Sequence, residues 1–187
     1  GNVAVGRFAL LSQNAGADGF NTAVGYDAGR NVTTGVDNTV MGGLAGDALT
    51  TGSYNVAIGK NALGSEDAHG RNVAIGRSAL ANQDAGADAY NVAVGYDAGV
   101  SVSTGTHNVI MGGLAGDALT TGTSNVAIGY GSLTAEDAHG RNIAIGHNAL
   151  ATQNAGANAY NVAIGYTAGA LVSTGVQNTI LGSVAGD

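Results

Sequence analysis

The pentapeptide Asn-Val-Ala-Ile-Gly occurs four times, at residues 55–59, 72–76, 125–129 and 161–165, and close variants bring the copies to eleven. With the opening Asn as position zero, the copies start at Asn2, Asn21, Asn38, Asn55, Asn72, Asn91, Asn108, Asn125, Asn142, Asn161 and Asn178. Their spacings run 19, 17, 17, 17, then 19, 17, 17, 17, then 19, 17. A unit this short cannot bury its own apolar face and becomes stable only when stacked on neighbours. The period therefore constrains the fold before any single residue is considered.

Four units make one super-repeat, and its copies span 2–71, 72–141 and, in part, 142–187. The whole chain, 1–187, reads as one repeat segment. It opens just before a motif and stops midway through another, as expected of a segment cut from something longer.

Within the unit, position +1 is Val, Ile or Thr, position +3 is Val, Ile, Leu or Met, and position +4 is always Gly. Short β-branched runs closed by Gly suit a strand and a turn. Seventeen residues at ~3.3 Å give roughly 56 Å of contour, enough for a flattened loop of strand, turn, strand and turn. Stacking such loops in register at ~4.8 Å predicts an all-β parallel β-solenoid, a β-roll of about eleven 17- and 19-residue coils. An inward position at +11 is marked by Val32, Leu49, Val102, Leu119 and Val172, whereas other units carry Gln13, Gln83, Glu66 or Glu136 there.

Alternate strand residues face opposite ways. The large side chains at +1 and +3 are expected to line the coil interior, making Val56, Ile58, Val73, Ile75, Val126 and Ile128 core rungs. Position +2 then points out, yet it is Ala in eight units and Val40, Ile110 and Ile180 in the rest. A strand apolar on both faces is normally buried on both. Ala57, Ala74, Val40, Ile110 and Ile180 are therefore expected to form a seam between copies of the chain.

Composition narrows the function. The net charge is −7 and the six basic residues are scattered, so no stripe follows a phosphate backbone and nucleic acid is not an expected partner. There is no Cys, and no apolar run reaches ~18 residues, so neither disulfides nor membrane insertion is expected. No nucleophile–base pair or carboxylate pair stands apart from the repeat, which argues against an enzyme and for no cofactor.

Residues 21–37 and 38–54 read N-T-A-V-G-Y-D-A-G…T-T-G-V-D followed by N-T-V-M-G-G-L-A-G. This resembles the head repeats of trimeric autotransporter adhesins (YadA-like heads). It is still more similar to the N-T-A-x-G-Y-x-A-G…T-T-G-x-x-N-T repeats of bacteriophage tail fibres. The resemblance implies a left-handed roll assembled as a parallel homotrimer, in an extended fibre on the virion surface that serves host attachment. A bacterial adhesin head on the cell surface is the alternative in the same class. A host receptor or glycan is the implied partner.

Four further patterns bear on function. Gly-Gly-Leu-Ala-Gly-Asp (42–47 and 112–117) nearly matches a calcium-binding nonapeptide and makes Asp47 and Asp117 weak metal candidates, in the manner of a secreted calcium β-roll. A calcium roll repeats that motif in consecutive turns, and here it recurs once per super-repeat, so a solvated turn and no metal are expected. Glu-Asp-Ala-His-Gly-Arg (66–71 and 136–141) also reads as a solvated polar turn, its two copies about 19 Å apart and unable to share an ion. Paired threonines such as Thr50 and Thr51 raise ice binding but occupy only two of the four unit classes. Tyr26, Tyr96 and Tyr166 share one register and are candidates for glycan stacking, with packing at the roll edge or between subunits the favoured reading.

Overall fold

The computed structural model describes residues 1–16 and 18–187. Each pentapeptide forms one three-residue strand. These are β1 (Val3–Val5), β2 (Thr22–Val24), β3 (Thr39–Met41), β4 (Val56–Ile58), β5 (Val73–Ile75) and β6 (Val92–Val94). Then follow β7 (Val109–Met111), β8 (Val126–Ile128), β9 (Ile143–Ile145), β10 (Val162–Ile164) and β11 (Thr179–Leu181). They lie side by side in chain order in a single sheet, every neighbouring pair parallel. Equivalent residues pair, as Val56 with Val73, Ala57 with Ala74 and Ile58 with Ile75. The parallel β-solenoid expected from the period is the fold. No helix among the described residues is long and apolar enough to cross a membrane.

The far side of each coil differs from expectation. Among the described residues it carries turns and no second strand. Position +8 explains this, because the backbone there is left-handed whichever residue fills it. Leu63 has φ 51° and Gly46 has φ 50°. A residue in that region ends any extended run.

Asparagine is required at position zero because its side chain is the rung-to-rung connector. Asn38 Oδ1 accepts from the backbone N–H of Asn55 at 2.9 Å, and Asn55 Oδ1 accepts from that of Asn72 at 3.1 Å. The relay continues from Asn2 to Asn178 without a gap. In most coils Asn Nδ2 reaches across to donate to a carbonyl near +14, as Asn38 does to Gly52 at 2.8 Å and Asn108 to Gly122 at 2.9 Å. That cross-bond closes the thin coil, and the relay asparagines between Asn21 and Asn161 are buried. The invariant Gly at +4 has a different cause. Gly42 has φ 130°, and a Cβ on it would lie 2.7 Å from the carbonyl carbon of Gly59 in the next coil.

The burial of the strands reverses the sequence-based assignment. Position +2 faces inward: Ala57, Ala74, Val40 and Ile110 are fully buried inside their own coils. They are not a subunit seam, and Ile180 is half-buried in the last coil. Val56, Ile58, Val73, Ile75, Val126 and Ile128, expected as core, stand on the outer face and are only partly covered. The physical reason is the thinness of the coil. The Ala at +2 and the Ala at +7 (Ala28, Ala62, Ala79 and their equivalents) are buried in one core cluster, which leaves room for small side chains opposite the strand. Bulk is added once per coil on the far side. Coils with Leu at +8 (Leu10, Leu63, Leu80, Leu133, Leu150) carry Gln or Glu at +11, and coils with Gly at +8 carry Val or Leu there. Val32, Leu49, Val102 and Leu119 are buried at +11 as expected, and Val172 packs on the core partly covered.

The polar side chains at +11 have a definite place. Gln83 Oε1 accepts from Asn91 Nδ2 at 2.7 Å while its own Nε2 donates to the Ser103 carbonyl at 3.0 Å. These glutamines extend the asparagine network into the coil that lacks an aliphatic side chain at +11.

Candidate functional site

Two surface features stand out once the coils are closed. The first is the outer face of the sheet. Positions +1 and +3 of all eleven strands project there, and none is charged. The residues are Val, Ile, Met and Leu, with Thr22, Thr39 and Thr179. Met41, Met111 and Ile164 are 39%, 41% and 37% exposed. Eleven strands at ~4.8 Å make a strip about 48 Å long. Contiguous apolar patches of more than a few hundred Å² mark interaction surfaces.

Two columns bracket this strip, at −1 before the Asn and at +5 after the Gly. They hold all seven tyrosines and five of the six basic residues, with Arg30 the exception. The side chains stack along the solenoid. Arg71 lies 5.3 Å from the Tyr54 ring and 5.6 Å from the Tyr90 ring, and Tyr90 stacks on His107 at 5.4 Å. On the other column His147 stacks between Tyr130 at 5.4 Å and Tyr166 at 5.3 Å. The glycan candidates Tyr26, Tyr96 and Tyr166 all belong to the +5 column and are exposed. Tyr96 accepts a 2.7 Å hydrogen bond from Arg77. They are thus exposed members of a mixed aromatic–cationic column.

The second feature is the Glu-Asp-Ala-His turn, half a coil away from the strand. It is solvated only in part: Asp67 and Asp137 are exposed, as expected from sequence, but Glu66 and Glu136 are fully buried. Glu66 Oε1 accepts from the backbone N–H of His69 at 3.1 Å, and Glu136 Oε1 accepts from that of His139 at 3.0 Å. Burial drives the Glu66 carboxyl up to about 7 against an ordinary 4.5, opposed by the His69 N–H and reinforced by Asp84, Asp67 and Asp88. Burial raises Glu136 as well, with the His139 N–H opposing it.

Among the described residues, two groups bring three or more potential metal-ligating side chains together: Glu66, Asp67, His69 and Asp84, and Glu136, Asp137 and His139. Asp47 and Asp117 belong to neither. Both are half-buried, and burial raises their carboxyls above the usual range. Thr50 and Thr51 donate to the carbonyls of Asp67 and Ala68 in the next coil, so the paired threonines serve the stacking of turns. The sequence carried one signal for the buried glutamates: they sit at +11, where neighbouring units place Val or Leu. Compared with family models, curated proteins and solved structures, the chain matches none of them.

Proposed function

We propose that this chain is a structural segment of a parallel homotrimeric fibre, displayed on a virion surface for host recognition and attachment. The observation that carries the reading is the uncharged outer face of β1 to β11. The seam lies on the side chains at +1 and +3, the face opposite to the one the sequence suggested.

A second copy of the chain is the occupant that fits. The strip repeats at every rung for about 48 Å, and a partner filling it along that whole length needs the same rung spacing. From −1 to +5 the face is roughly 20 Å wide, giving a footprint on the order of 1,000 Å². A stable interface takes about 800 Å² from each partner. The aromatic and cationic columns then form a polar rim around an apolar centre, the usual anatomy of an interface. Parallel orientation and the number three come from the resemblance to tail-fibre repeats. The same assembly serves the adhesin-head alternative.

Light scattering on the chain, parent beside Ile75→Arg, tests this. A trimeric parent and a monomeric variant of unchanged fold are expected. A parent that stays monomeric and folded at micromolar concentration overturns the reading. That outcome would favour an ice-binding role instead, for which the in-register rows at +1 and +3, with Thr22, Thr39 and Thr179 among them, are the supporting feature, and thermal hysteresis is its measurement.

A further inference from the structure

Position +11 carries Gln or Glu in five coils, and the choice follows a second residue. Gln13, Gln83 and Gln153 are followed at +14 by Gly16, Gly86 and Gly156. Glu66 and Glu136 are followed at the same place by His69 and His139. A neutral Gln fills this register place in three other coils, where Gln83 and Gln153 accept from the next Asn at 2.7 Å, so the fold itself does not need a carboxylate there. In these five coils the acid and the imidazole occur together or not at all.

Their geometry accounts for the pairing. His69 Nδ1 lies 3.7 Å from Glu66 Oε1, and His139 Nδ1 lies 3.5 Å from Glu136 Oε1. Neither Nδ1 atom has a hydrogen-bond partner, although both atoms are buried. Glu66 Oε2 is also buried with no partner. Separations of this size are too long for a good N–H···O hydrogen bond. They are close to the ~3.4 Å between two ligands on one tetrahedral ion with bonds near 2.1 Å. Asp67 and Asp84 bring further carboxylates to the same point, every donor atom within 4.8 Å of the others.

We propose that Glu66, Asp67, His69 and Asp84 form a divalent transition-metal site of zinc type, and that Glu136, Asp137 and His139 form a weaker copy one super-repeat further on. The imidazole selects against calcium and magnesium, which take oxygen ligands. Asp84 comes from the coil after the one that holds the other three, so the ion clamps two coils together. In the second copy Asn154 stands where Asp84 stands in the first, and Glu136 Oε2 accepts instead from Asn142 Nδ2 at 3.4 Å. The chain thus contains its own three-ligand control. All of these ligands lie at +11 to +14 of their coils, outside the −1 to +5 span proposed for assembly.

The test is zinc titration of the chelator-treated chain by calorimetry, with cobalt(II) absorption reporting the ligand field. Two zinc ions per chain are expected, the first bound at least about tenfold more tightly, the size of a typical loss from one altered partner. Asp84→Asn should bring the first site down to the second. Glu66→Gln with Glu136→Gln should abolish both while melting in chelator no lower than the parent, because Gln already occupies this place in three coils. His69→Ala should remove the tight site alone. No binding by the parent at millimolar zinc, or undiminished binding by the double Gln variant, overturns the proposal. Equal affinities in the parent, or no change on Asp84→Asn, overturn the role of Asp84.

Discussion

Gly46 and Leu49 share one space: a Cβ on Gly46 would lie 2.8 Å from Leu49 Cδ1. The same backbone elsewhere holds a leucine at +8, as at Leu63, and then +11 is polar. The coil has room for one large aliphatic on its far side, and two arrangements supply it. Gly46→Leu alone should cost about 3 kcal/mol, from overpacking and a left-handed leucine. Adding Leu49→Gln should recover most of the packing part, since Gln in this place bonds the next Asn. Urea denaturation of the two single variants and the double variant measures the coupling. Additive losses would show that +8 and +11 are independent.

Asn108 makes three bonds in the relay. Its N–H donates to Asn91 Oδ1 at 2.8 Å, its Oδ1 accepts from Asn125 N–H at 2.9 Å, and its Nδ2 donates to Gly122. Asn108→Ala should cost about 2–4 kcal/mol, because it leaves a buried N–H and a buried carbonyl unpaired. Asn108→Asp keeps the acceptor but buries a charge, so it should be milder at pH 4 than at pH 8. Thermal melts at both pH values test this, and a pH-independent Asp variant would contradict it.

The two faces of one strand should respond oppositely to the same change. Ala74 is fully buried and Ile75 stands on the outer face. Ala74→Arg should cost more than about 4 kcal/mol by burying an unpaired charge. Ile75→Arg should change the stability of an unassembled chain by less than about 1 kcal/mol. Circular dichroism melts of both variants at low concentration decide this. Equal losses would return the strand to an ambiguous orientation.

Without metal, Glu66 should make stability fall as pH rises. Its folded-state value is about 7 against 4.5, so the folded chain holds the proton longer than the unfolded one. The contribution is complete below 4.5 and is lost as pH passes through 7. The difference corresponds to about 3 kcal/mol. Asp67, Asp84 and Asp88 face the group and push the same way, while the His69 N–H opposes them. In chelator, Glu66→Gln should flatten this slope and be more stable than the parent at pH 8. A parent whose melting temperature is level from pH 4 to pH 8 would refute it.

Sequence logic reached the number of rungs, the parallel register and the inward side chains at +11 because period and residue class encode them directly. It misjudged Ala74 and Ile75 because larger apolar residues were assigned to the interior. In a coil this thin the interior opposite the strand holds an alanine, and the larger residues are left outside. Glu66 was misread because nothing local distinguishes a buried acid from a solvated one. Only its alignment with Leu49 and Gln83 in other units does so. The two aromatic–cationic columns were missed for a related reason. Tyr54, Arg71 and Tyr90 belong to successive units of the repeat, and they become neighbours only when coils stack.

The asparagine relay also gives the chain a unit of length. Each Asn accepts from the rung after it, so every junction is chemically the same and points the same way. Residues 42–52 and 112–122 are identical, as are 66–72 and 136–142. A cut in one super-repeat rejoined to the matching place in another restores the relay, the Leu-Gly-Gly-Leu order at +8, and the outer face together. Such an event lengthens or shortens the molecule by four rungs, about 19 Å, without creating an unfamiliar contact. Reach can therefore evolve as whole-number steps, leaving the rest of the architecture untouched.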